Sequence, residues 1–77
     1  MSDIEMEVKQ IIADQLNKHI DDIKLTADIV KDLGADSLDL VEIVMALEDH
    51  FKITVPDEET GDLRTTESIV NKIKELK

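Results

Sequence analysis

The stretch SLDLVEIVMALEDHF, residues 37–51, decides the fold because it combines a helical repeat with two separate apolar faces. At roughly 100° per residue, one arc about 100° wide collects five apolar side chains. They are Leu40, Ile43, Val44, Leu47 and Phe51. This arc predicts a helix over residues 37–51 that buries one face in a core.

A second apolar strip, formed by Leu38, Val41 and Met45, lies on the side of this helix where Ser37 stands. The carboxylates of Glu42, Glu48 and Asp49 border the strip, and Asp39 adds a fourth carboxylate to the same helix. A small helical bundle cannot cover both faces, and an exposed apolar strip ringed by charge is typical of a docking surface. The alternative is that the first connection or the segment after Pro56 folds over part of the strip, Val41 above all.

The flanking segments predict the rest of an all-α bundle with three main helices. An apolar stripe predicts a first helix to about Asn17, with Ser2 and Glu5 as a capping box. A closing helix follows, with Thr65 or Thr66 as its cap. The long first connection holds a helical turn near Ile29, ended by Gly34. A short helix before the last one starts at Pro56 and is stopped by Gly61.

Composition narrows the range of functions. The 77 residues contain no Cys, so thiolate metal sites and cysteine nucleophiles are excluded, and we expect one domain over residues 1–77. The net charge of −10 would repel nucleic acids and anionic lipids, so partners should be basic proteins. No apolar run is long enough to span a membrane. We expect a soluble, cytoplasmic monomer that does not insert into membranes.

Ser37 starts the deciding helix. A Ser at this place is most often a cap that satisfies free backbone N–H groups. Its hydroxyl has no activating base nearby in the sequence, since the two histidines are His19 and His50. Self-catalysis is therefore not expected. A helix N-terminus does favour a phosphate, so a phosphoryl group placed on Ser37 by another enzyme would suit this position.

The run Leu33-Gly34-Ala35-Asp36-Ser37-Leu38-Asp39, followed by Val41-Glu42-Ile43-Val44-Met45-Ala46-Leu47-Glu48, resembles the signature of acyl carrier proteins of dissociated fatty acid synthesis. The resemblance extends over essentially the whole chain. It includes Phe51, the stretch 53–59 and the Thr65-Thr66 pair. Asp-Ser-Leu alone would be a weak signal, but the longer run is highly specific.

The resemblance implies that Ser37 receives 4′-phosphopantetheine from coenzyme A through a magnesium-using phosphopantetheinyl transferase. Asp36 would help to hold the transferase's metal during modification only, and the chain has no metal site of its own. The arm's thiol would carry acyl groups as thioesters, and the carrier would not be an enzyme. Partners would be the malonyl transferase, ketosynthases, reductases, dehydratase and acyltransferases. They would contact the strip, its carboxylates and Val55, while the acyl chain would lie near Leu47, Val55 and Leu63.

Several alternatives remain open from the sequence. The acidic stretch from Asp28 to Glu42 suggests calcium binding, yet Val30 stands where an EF-hand loop needs an oxygen ligand. A specialised carrier for polyketide or lipid-A synthesis is another, because Thr60–Arg64 departs from the family's usual run. An aminoacyl carrier of peptide synthesis or D-alanylation would share the modified Ser. An unmodified helical adaptor is the last.

Overall fold

The computed structural model describes residues 3–56, 58, 61 and 63–77, and in these ranges three α-helices form the fold. Helix α1 spans Asp3–Leu16, α2 spans Ser37–Phe51 and α3 spans Thr66–Leu76, with a short 3₁₀ helix at Ile20–Asp22. The described ranges contain no β-strand. The predicted all-α bundle and the predicted bounds of α2 are confirmed. The Ser2 cap and the short helix after Pro56 depend on residues outside the described ranges.

The core lies between the apolar faces of the three helices. Every residue of the predicted core face of α2 is buried, and α1 and α3 add the buried residues Val8, Ile12, Ala13, Ile69, Val70 and Ile73. Burial of an aliphatic side chain of this size contributes about 1.5–3 kcal/mol, so these faces supply most of the driving force for folding. With no Cys in the chain, packing is what holds the bundle together.

The first connection is ordered by its own short-range hydrogen bonds. The Asp28 carboxylate accepts hydrogen bonds from the backbone N–H groups of Val30 (2.9 Å) and Lys31 (2.8 Å), which start a helical turn. The bond from Lys31 is the main reason that the pKa of Asp28 is lowered. Gly34 ends the turn with φ of +75°, and its N–H donates to the Val30 carbonyl at 3.2 Å. The predicted turn near Ile29 and its glycine stop are both confirmed.

Backbone pairing attaches this connection to the start of α3. The Ile29 N–H donates to the Arg64 carbonyl at 2.7 Å, and the Thr66 N–H donates to the Ala27 carbonyl at 3.1 Å. Between these bonds, Asp28 and Thr65 form an isolated antiparallel bridge. The pairing fixes the chain just before Ala35, which is itself buried, and so holds the first turn of α2 in place.

Candidate functional site

The first turn of α2 is closed by a reciprocal pair of aspartates. Asp36 is the N-cap, and its Oδ1 accepts a hydrogen bond from the Asp39 N–H at 2.8 Å. Asp39 Oδ2 accepts in turn from the Asp36 N–H at 3.3 Å. The interpretation of Ser37 as the cap is therefore wrong, because Asp36 is the N-cap and Ser37 is already the first helical residue. Two acids three residues apart before an apolar run could have indicated this.

Ser37 occupies the first helical position of α2, and it is exposed. Its hydroxyl makes no hydrogen bond with any residue that the structure describes. Neither histidine is hydrogen-bonded to this hydroxyl. His50 Nε2 lies 3.0 Å from Glu7 Oε1 on α1, and His19 precedes the 3₁₀ helix. The hydroxyl is thus accessible from outside and lacks a base to activate it within the described chain.

The second apolar strip of α2 faces solvent. Leu38 is 64% exposed, Val41 44% and Met45 60%. The predicted exposure of all three side chains is confirmed, and no described residue buries Val41. We call these residues, Leu38, Val41 and Met45, the α2 strip. Met6 on α1 is the only other large apolar side chain that is exposed in the described part of the chain.

The four carboxylates of α2 differ in their bonding. Asp39 belongs to the capping box, while Glu42 Oε2 accepts a hydrogen bond from Gln15 Nε2 on α1 at 2.7 Å. Glu48 Oε2 accepts one from the backbone N–H of Val55 at 2.6 Å. Asp49 is exposed and makes no hydrogen bond or ion pair in the described ranges. The sequence pattern treated the four as equivalent, because contacts across the bundle or past a helix end leave no periodic signal.

The three residues predicted to border an acyl chain lie in the core. Leu47, Val55 and Leu63 are 1%, 5% and 4% exposed and belong to one apolar cluster. Open depressions of about 540 and 370 Å³ lie elsewhere, along the first connection, where Leu33 lines the larger and Leu25 the smaller. The cavity near Leu47 therefore stays a prediction.

The acidic groups of the described residues show no arrangement that favours metal binding. Over the described ranges, no group of three or more His, Cys, Asp or Glu side chains could hold a metal ion. Asp28, where a calcium loop would have to begin, uses its carboxylate to bind backbone N–H groups. No helix in these ranges is long and apolar enough to cross a membrane.

A comparison with known protein families identifies the kind of site that this geometry belongs to. The family model described as "Phosphopantetheine attachment site" matches residues 7–73, which include all of α2 and most of α1 and α3. The chain belongs to this family. It is therefore a carrier protein that bears covalently attached 4′-phosphopantetheine, and a transferase and the enzymes that use the arm are its partners.

The start of α2 fits such a group on this carrier protein. An exposed hydroxyl is available for a phosphodiester, and the N–H groups of Ser37 and Leu38, the first two of α2, make no hydrogen bond with the described residues. Those donors and the helix dipole favour a nearby negative charge by about 0.3–1 kcal/mol. When bound, the arm supplies a thiol, which the chain cannot provide because it contains no Cys.

Proposed function

We propose that Ser37 is the residue that bears the arm, and that the protein presents acyl intermediates of fatty acid synthesis as thioesters. The observation that carries this proposal is the exposed, unbonded Ser37 hydroxyl at the first helical position of α2, next to an exposed apolar strip. The resemblance of residues 33–48 to acyl carrier proteins supports it.

Asp36 has a double role in this proposal. One carboxylate oxygen, Oδ1, caps the helix, and the other oxygen accepts no hydrogen bond within the described chain. That second oxygen is available to the magnesium ion of a phosphopantetheinyl transferase while the arm is transferred from coenzyme A. Capping by Oδ1 fixes the side chain in one orientation, so Asp36 would meet the metal without a large loss of rotamer freedom.

The α2 strip and its carboxylates form the proposed docking surface. Lys and Arg on partner enzymes would pair with Asp39, Glu42, Glu48 and Asp49, which raises encounter rates more than it slows release. The strip adds a small apolar contact, and Met45 suits varied partners because its side chain is flexible. Val55 borders this surface through its bond to Glu48. A carrier that visits several enzymes in turn needs such fast, adaptable contacts.

The proposed partners are the malonyl transferase, ketosynthases, reductases, dehydratase and acyltransferases of fatty acid synthesis, and the proposed location is the cytoplasm. The proposed seat of the acyl chain lies among Leu47, Val55 and Leu63, whose burial in one cluster supports an apolar lining. The second candidate function is a specialised carrier of a polyketide, lipid-A or aminoacyl pathway. The departure from the usual run at Thr60–Arg64 favours it.

Incubation with coenzyme A, magnesium and a phosphopantetheinyl transferase tests the attachment. We expect one arm per chain by intact mass, and none on a Ser37→Ala variant. Ser68→Ala is the matched control, because Ser68 also lies in the first turn of a helix and should leave modification intact. An arm that still attaches to the Ser37→Ala variant would place the site elsewhere. Loading the modified protein with malonyl or aminoacyl groups by the corresponding enzymes then separates an acyl carrier from an aminoacyl carrier.

A further inference from the structure

Glu48 organises the chain as it leaves α2. Its backbone carbonyl accepts hydrogen bonds from the N–H groups of Lys52 and Ile53, the latter at 3.1 Å. These bonds require a left-handed turn, and Lys52 supplies it with φ of +59°. The side chain of the same glutamate then accepts from the Val55 N–H at 2.6 Å. Three of the four residues after α2 are thus bonded to Glu48.

The bond to Val55 is the one that a partner could affect. It joins a carboxylate to a backbone donor in a partly buried setting, and such charge-assisted bonds are stronger than neutral ones. Val55 is 5% exposed, so its N–H would be costly to leave without an acceptor. The bond spans seven residues and no regular structure supports it. Apolar packing holds the Val55 side chain, and the Glu48 carboxylate supplies the acceptor for its N–H.

We propose that Glu48 is the positioning residue for Val55, and that through this bond it holds the segment 53–55 as a wall of the acyl-chain seat. The proposal rests on the proposed function, since it assumes that an acyl chain enters beside Val55, Leu47 and Leu63. Glu48 lies at the far end of the α2 strip, one turn beyond Met45. The Glu48 carboxylate would thus contribute both to partner docking and to the position of the acyl chain.

In this proposal, the length of the Glu48 side chain determines whether it can bind the Val55 N–H, while its charge determines how strongly it attracts basic partners. Glutamine keeps the length and an acceptor oxygen but loses the charge. Aspartate keeps the charge but is one methylene shorter, so its oxygens cannot reach the Val55 N–H from the same backbone. The pair Glu48→Gln and Glu48→Asp therefore separates positioning from electrostatic attraction.

The test measures amide hydrogen exchange of Val55 by NMR in the full-length unmodified chain. We expect exchange in Glu48→Gln to be slightly faster than in the unsubstituted protein, because its neutral acceptor binds the N–H less strongly, and exchange in Glu48→Asp to be about tenfold faster or more. Asp49→Ala, which removes a neighbouring carboxylate with no bond to the described chain, should leave Val55 exchange unchanged. An Asp variant that exchanges at the original rate would overturn the proposal.

A second measurement links the bond to cargo. The unsubstituted protein, Glu48→Gln and Glu48→Asp are each modified with the arm, and the gain in mass is verified. The rise in melting temperature when the arm is loaded with an octanoyl group is then compared among the three. We expect a smaller rise for Glu48→Asp than for the other two proteins. Equal rises would contradict a role in seating the chain. If no arm attaches to any of the three, the proposed function fails, whereas the exchange result on the unmodified chain still decides whether Glu48 positions Val55.

Discussion

At the scale of single residues, Thr65 and Thr66 have the same side chain and opposite roles. The Thr65 hydroxyl caps α3 by accepting from the Ser68 N–H at 3.1 Å, and Ser68 Oγ accepts from the Thr65 N–H at 3.1 Å. Thr66 is fully buried, and its hydroxyl has no partner among the described residues. The sequence offered either threonine as the cap, and backbone pairing with Ala27 determines that Thr66 points inward instead.

Valine at each position should therefore shift stability in opposite directions. Thr66→Val removes an unpaired buried hydroxyl at nearly constant shape, so we expect the free energy of unfolding to rise by about 1 kcal/mol. Thr65→Val removes a helix cap, so we expect a fall of about 1 kcal/mol. Urea denaturation at a constant m-value measures both. A loss of stability in both variants would contradict the assignment of Thr66 as an unsatisfied core hydroxyl.

At the scale of elements, α2 was the most predictable part of the molecule and its surroundings the least. The apolar repeat of residues 37–51 is sufficient to predict the bounds, the core face and the exposed strip, because each depends only on the helical period. The role of Gly34 at the end of the turn was equally predictable, because that position requires a positive φ. Pairing of the first connection with α3, and the bond from Glu48 to Val55, depend on the three-dimensional arrangement and have no local signature.

The acidic face of α2 should determine how fast partners associate. We expect Glu42→Lys to lower the association rate with a basic ketosynthase, because Glu42 is exposed beside the α2 strip and its charge attracts the partner. The association rates of the unsubstituted protein and of Glu42→Lys, measured over a range of salt concentrations, should converge at high salt, where exposed charges are screened. Circular dichroism checks that loss of the bond to Gln15 leaves the helix content intact.

Asp21→Lys is the matched control for this charge reversal. Asp21 is also exposed but lies in the 3₁₀ helix of the first connection, away from the α2 strip in the sequence. The same change in net charge at this position should alter the association rate much less. If both reversals slow association equally, overall charge steers the partners and α2 is not a specific docking face.

At the scale of the whole molecule, the charge is concentrated where the proposed function needs it. Residues 36–62 carry nine acids and one base, while the other fifty residues carry ten acids and eight bases. This distribution surrounds α2 and the chain that leaves it with negative charge. Among the residues that the structure describes, the buried core is aliphatic apart from Phe51 and Thr66. The described chain thus combines an apolar core with an acidic helix, α2, at whose first position Ser37 is exposed.

The intact mass of the protein from cells that contain a phosphopantetheinyl transferase tests the central claim most directly. The account predicts that the unsubstituted protein is heavier than its sequence by one 4′-phosphopantetheine group, and that Ser37→Ala has the mass of its sequence alone. An unsubstituted protein that never gains mass in such cells, or a Ser37→Ala variant that gains it, would contradict the account.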